Sequence, residues 1–298
     1  MTNDLANVEA ADEECILACI DDSPYSAPVV QLAAWAAQRL GLPVEILRVV
    51  QRHAAVARRR DLSGAIGLGV KSALLEELTE MEERSARLEV EHGRLLLEAA
   101  RETALAAGAP SVRLLHRHGG IVETILEREV HARCVVIGRR GASHRFAQGH
   151  IGSKVERVVR ASDRPVLVAG LDGSAPRHIV IAYDGSEAAD LAIDRLLQSP
   201  AFAGLPATMV TVGADDAVNR RLLDEGSARL AGSFAVTRLL ERGDPEEVLP
   251  AIVARTPGAM LVMGAYGHSP LRSLIVGSTT TALVRTVEAP VLLVRKQR

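Results

Sequence analysis

The chain has 298 residues, of which 48% are hydrophobic and 24% charged, with a formal net charge of −2. That length suits one large or two ordinary domains, and the composition is that of a globular chain rather than a disordered one. The near-neutral balance argues against a nucleic-acid partner, which would select a basic surplus, and no apolar run approaches about 18 residues, so no membrane span or membrane partner is expected.

In chain order, the acidic start MTNDLANVEAADEE reads as neither signal nor transit peptide, and a cytoplasmic location is expected. The first apolar run, 15–20, carries Cys15 and Cys19. At about 3.3 Å rise per residue these thiols stand roughly 13 Å apart, too far to bridge, and with Cys134 they read as small core residues. Asp21-Asp22-Ser23 follows at once. The second run, 44–50, includes Val49 and leads into RHAAVARRRDLSGAIGLG at 52–69. That basic, glycine-spotted segment reads either as a solvated excursion or as a flap over a ligand. A long amphipathic helix is predicted along 71–107, from the spacing of Leu74, Leu75, Leu78, Met81 and Leu88. Runs near 112–117, 134–138 and 166–169 complete the first half.

GLDGSAPRH, 170–178, is a cluster of turn formers, and the chain divides near 171 into domains 1–171 and 172–298. The second half has runs near 179–183, 207–212, 235–241, 259–263 and 291–295. The halves repeat each other. ILACIDDSPYSA matches IVIAYDGSEAAD, VVIGRRGAS matches LVMGAYGHS, and each Gly-Ser pair (Gly152-Ser153, Gly277-Ser278) begins thirteen residues before a proline. Short, non-alternating runs of Val, Ile and Leu read as strands buried on both faces, and their alternation with helical patterns predicts a parallel sheet flanked by helices.

Such a sheet opens its ligand crevice beyond the carboxyl ends of the strands. In the second half, MGAYGHSPLRSLIVGSTT begins there. Gly264, Gly267 and Gly277 let backbone approach a ligand, and the helix start at Ser278, with Thr279 and Thr280 beside it, offers free N–H groups and hydroxyls to a phosphate. Neither a dinucleotide fingerprint nor a P-loop is present.

Gly264-x2-Gly267-x9-Gly277-Ser278, Asp184-Gly185-Ser186 and the closing PVLLV together resemble the universal stress protein family, and the resemblance runs over nearly the whole chain, twice. It implies an α/β fold of two tandem doubly wound domains, each a five-stranded parallel sheet of order 3-2-1-4-5. It also implies an adenine nucleotide as ligand, ATP or else ADP or AMP, with or without Mg2+. Carried over, Asp184 and Val212 would meet adenine and ribose, Met263 and Gly264 would line the wall, and Gly267, Gly277, Ser278, Thr279 and Thr280 would lie at the phosphates. Asp184 has a second reading as a structural residue at the start of the next helix, where Ser186 is a rival cap.

In the first half Asp21, Val49, Ile137 and Gly138 take the matching positions, but Gly138-Arg139-Arg140-Gly141 is followed by ten residues rather than nine before Gly152-Ser153. Lys154 replaces Thr279 and Val155 replaces Thr280. Arg139 and Arg140 either clamp phosphates, point to solvent or fill an empty pocket. No metal-ligand spacing and no nucleophile elbow is present. The reading is therefore a nucleotide-binding, stress-response regulatory protein that acts on an unknown protein partner. Slow ATP hydrolysis and a ligand-free interaction scaffold are the alternatives. The resemblance also implies a dimer contact through the last strands, PVLVAG and PVLLVRK. The two halves of one chain can mimic that contact, and a homodimer through the last strands is expected.

Overall fold

The computed structural model describes residues 14–50, 68–141, 153–265 and 278–295. The basic segment at 52–67, Gly152, Gly267 and Gly277 lie outside the described residues. The first half runs β1 (Cys15–Ile20), α1 (Ser26–Leu40), β2 (Val44–Val50), α2 (Leu68–Ala106), β3 (Val112–His118), α3 (Ile121–Arg128), β4 (Ala132–Gly138), α4 (Ser153–Ala161) and β5 (Val166–Ala169). The second runs β6 (His178–Ala182), α5 (Glu187–Gln198), β7 (Ala207–Val212), α6 (Ala217–Leu230), β8 (Val236–Glu241), α7 (Pro245–Arg255), β9 (Ala259–Gly264), α8 (Ser278–Thr286) and β10 (Val291–Val294).

All ten strands form one sheet in the order β3-β2-β1-β4-β5-β10-β9-β6-β7-β8. Each half is a parallel 3-2-1-4-5 sheet. The halves join where β5 and β10 pair antiparallel, with Val291 opposite Val168 and Leu293 opposite Val166. The two halves thus make within one chain the last-strand contact that the resemblance implies. An exposed strand edge seeks a partner, and here each last strand finds the other within the chain. The outer edges are β3 and β8.

Side chains alternate across each strand, so the apolar runs feed two cores. Ile16, Ala18 and Ile20 face a cluster containing Trp35, Leu97, Ile193 and Leu230. Cys15 and Leu17 face the opposite cluster, with Val122, Val158, Leu249 and Leu283. Both clusters run through both halves. The first is closed at the junction by Trp35 against Phe202, their ring centroids 6.1 Å apart. Arg39 at the end of α1 donates to the carbonyls of Ala201 and Ala203. The carboxyl-terminal turns of α2 bury Leu97, Ala100 and Ala104 in the same core. Among the described residues no helix is long and apolar enough to cross a membrane.

Candidate nucleotide-binding site at the strand ends

β1 lies between β2 and β4, so chain direction through the sheet reverses beside it, and the loops leaving β1 and β4 diverge to opposite faces. Asp21 is the first residue past β1. Its Oδ1 accepts from the Ser23 amide at 3.0 Å, which closes a tight turn. The Ser26 hydroxyl is held by both main-chain groups of Asp21. These bonds fix the loop so that Asp21 Oδ2 faces Gly141, where an added Cβ would come within 2.8 Å of it. Gly141 is thus small because the loops after β1 and β4 meet at that point.

Between these loops lies a cavity of about 80 Å³, several times the roughly 10–15 Å³ that one water requires. One wall is apolar, built from Leu47, Val49, Ile121, Ile125, Ile137 and Val158. The other is polar, with Asp21, Ser23, Ser26, Arg140 and Lys154. An apolar slot ending in a carboxylate and two cations suits a ligand with a flat or apolar body, hydroxyls and an anionic tail. Lys154 stands in the first turn of α4, where a cation is disfavoured by about 0.3–1 kcal/mol unless an anion sits beside it.

The paired arginines divide. Arg140 lines the cavity. Arg139 turns the other way, is 5% exposed, and donates to the carbonyl of Ala289 in the second half at 3.3 Å. The phosphate-clamp reading is corrected for Arg139, because successive residues leaving a strand point to opposite sides. Burial disfavours the thiolate form of all three cysteines. Burial pushes Cys15 up to about 11 and Cys134 up to about 12, and raises Cys19 as well, although Cys19 borders the cavity.

The next residue, Asp22, anchors the rim. It takes Arg48 of β2 at 3.1 Å and His92 of α2 at 2.6 Å. Burial raises the Asp22 pKa, but the hydrogen bonds and charges of His92 and Arg48 outweigh it and hold the carboxyl below its usual value. Arg48 also lies 3.3 Å from His116 of β3. The long helix of the first half is thereby tied to the loop that carries Asp21.

The second half repeats the frame. Asp184 Oδ1 accepts from the Ser186 amide at 2.9 Å, while the Ser186 side chain caps α5 by accepting from Ala189. Ser186 is therefore the helix cap, and Asp184 shapes the turn before it. Val212 and Gly264 stand half-buried at the ends of β7 and β9, beside the buried Met263. Gly264 presses on the Ala188 backbone so closely that no Cβ fits. Ser278 opens α8 and Thr279 is half-buried. Thr280 is buried in a small crevice shared with Val155, Glu156 and Val159 of α4, so it belongs to the contact between the halves. Ser153, at the matching place, opens α4.

Several cavity residues escape the sequence reading. Ile121 and Ile125 come from α3, and Tyr25 and Ser26 from the start of α1. The i, i+4 apolar pair of α3 was the available signal for the first two.

The family model described as the universal stress protein family matches this chain twice, over residues 14–170 and 176–295. Universal stress protein Slr1230 of Synechocystis sp. is 32% identical over 284 residues, covering 94% of this chain and 99% of its own length. Universal stress protein Rv2623 of Mycobacterium tuberculosis is 23% identical, covering 94% and 96%. A solved universal stress protein from Archaeoglobus fulgidus has the same fold, with a TM-score of 0.66 at 21% identity over 95% of this chain and 98% of that one. With two family matches in tandem, a 3-2-1-4-5 sheet in each half and a relative aligned from end to end, the chain belongs to the universal stress protein family.

Proposed function

We propose that this protein binds an adenine nucleotide at the carboxyl ends of its strands and acts as a stress-response regulator whose nucleotide state is read by a protein partner. The observation that carries the reading is the first-half cavity, with an apolar wall of Leu47, Val49, Ile121, Ile125 and Ile137 and a polar lining that includes Asp21, Arg140 and Lys154. The slot suits a purine, the carboxylate suits ribose hydroxyls, and the two cations suit phosphate oxygens. The resemblance to nucleotide-binding members of the family points the same way. In the second half the same role falls to Asp184, Val212, Met263 and Gly264, with the glycine loop and the start of α8 toward the phosphates. Binding shifts partner affinity only as far as the nucleotide contacts the two loop states differently.

Calorimetry on the full chain with ATP, ADP and AMP tests this. Uptake of nucleotide is expected, weakened by roughly ten- to hundred-fold in Lys154→Glu, since a charge-assisted hydrogen bond is worth about 1.5–3 kcal/mol. No heat and no shift in melting temperature with any of the three nucleotides would sink the proposal. Phosphate release measured on the same samples separates a binder from a slow hydrolase.

A further inference from the structure

Arg139 stands between Gly138 and Arg140, which both line the first-half cavity, yet its own side chain leaves that cavity and crosses to the second half. It is 5% exposed, its Nε has no hydrogen-bond partner among the described residues, and its guanidinium donates to the Ala289 carbonyl at 3.3 Å. Taking an arginine out of water is costly. Burial lowers its pKa, and the nearby Glu288 charge offsets only part of that. Counted from the matching strand-end glycines, Gly138 and Gly264, its counterpart is Ala265, which is buried without any such reach. The repeated fold therefore does not require an arginine at this place.

The point that Arg139 grips is the far end of α8. Residues 287–290 follow α8 directly and are held on every side. The Val287 amide donates to the Leu283 carbonyl at 2.9 Å, and the Pro290 carbonyl accepts from Leu261 of β9 at 2.9 Å. The Glu288 carbonyl presses on Gly170 so closely that no Cβ fits there. α8 itself has nine residues, which makes it about 13 Å long. Its start, at Ser278, lies at the strand ends of the second half, and its end leads to the carbonyl that Arg139 holds.

The start of α8 reaches the first half as well. Val155 of α4 lines the first-half cavity and also the small crevice in which Thr280 is buried. Val155 and Thr280 are counterparts in the repeat, so the two helix starts border one crevice. α8 thus meets the surroundings of the first-half cavity at both of its ends. A ligand that fixes either the loop at 138–141 or the start of α8 restrains the same body, and the second ligand then has less left to order.

We infer that the two strand-end sites are coupled through α8, with Arg139 as the positioning residue that joins the first-half loop to it. The inference rests on the reading of both strand ends as nucleotide sites.

Hydrogen exchange on the full chain, titrated with ATP, reads the two sites separately, at residues 20–26 for the first and 183–189 for the second. Ser278→Glu sets a negative charge at the start of α8 and empties the second site. The affinity of the first site should then fall by about five-fold or more. Lys154→Glu, which empties the first site, should lower the affinity of the second by the same factor, because coupling is reciprocal. With Arg139→Ala, which installs the residue that the second half uses, both dependences should vanish. Arg139→Met, which keeps the buried stem and removes the donors, should do the same. A merely structural Arg139 would lower the melting temperature in these variants and leave the dependence of one site on the other intact, and that result overturns the inference. Uptake by one half alone, or by two halves that titrate independently, overturns it too and leaves nucleotide binding standing. No protection by ATP at either segment removes the binding reading and the coupling with it.

Discussion

In strand β2 the first half buries a carboxylate, Glu45, and at the matching place in β7 the second half carries Thr208. The register makes them equivalent, since Glu45 lies opposite Leu17 of β1 and Thr208 opposite Val180 of β6. Glu45 is 4% exposed and is gripped by Arg128 through two hydrogen bonds of 2.6 and 2.7 Å. Thr208 meets the His178 ring, 2.8 Å away. One fold position is thus satisfied by a buried ion pair in one half and by a neutral hydrogen bond in the other. The rims show the same contrast. Asp22 of the first half is bound by two basic side chains, where the second half has Gly185 at φ 71°. Lys154 faces the cavity where the second half has Thr279. The lesson is that the repeated fold fixes the backbone at these places and not their chemistry: the first half carries charge at all three, and the second carries threonine or glycine.

The largest expected effect tests that contrast at Glu45. Arg128→Met strands a buried carboxylate and should cost about 3–5 kcal/mol, because breaking a buried pair leaves an uncompensated charge. Thr208→Val should cost about 1 kcal/mol. Urea unfolding of both variants against the parent decides it, and equal losses would mean that Glu45 gains water when Arg128 is removed. A middle-sized effect compares the two strand-end glycines. Gly264→Ala drives its methyl into the Ala188 main chain, whereas Gly138→Ala meets the Tyr25 side chain near its root. Both should destabilise by about 1–3 kcal/mol, with Gly264→Ala the worse, because a main-chain carbonyl cannot rotate aside. Matched melting curves that rank them the other way would show α5 to be the more yielding helix.

The smallest effect is a pH slope shared by the halves. Burial holds His116 below its ordinary value of 6.5, with help from the Arg48 and His118 charges, and burial alone does the same to His178. Below that ordinary value the unfolded chain binds the extra protons, so stability should fall as pH drops through 6.5 and toward the lowered native values. Asp22, held low by His92 and Arg48, adds its loss only at still more acid pH. Urea midpoints taken across the range from neutral to mildly acid should flatten in His116→Gln with His178→Gln. An unchanged slope in that double variant would place the titration elsewhere.

Much of the architecture was legible before any coordinates. The run read at 112–117 is the strand Val112–His118, the run at 235–241 is Val236–Glu241, and the helix read along 71–107 is Leu68–Ala106. Those readings rest on periodicity between near neighbours, which one strand or helix settles by itself. The candidate site was legible in part. Asp21, Val49, Ile137, Gly138, Arg140, Gly141 and Lys154 do converge on one cavity, because the carboxyl end of a parallel sheet collects whatever follows each strand. Ile121 and Ile125 were missed because α3 reaches the cavity only by folding back over the sheet.

By itself, the sequence determined the twofold repeat and the alternation of strands and helices in each half, while the strand order came only as what the family resemblance implies. It did so because short-range apolar patterns choose strand or helix locally. Tertiary structure alone decided which of two adjacent arginines faces the cavity and in which register β5 and β10 pair antiparallel. Each of these depends on a partner far along the chain, as Arg139 finds Ala289 across 150 residues, and no local pattern carries that information.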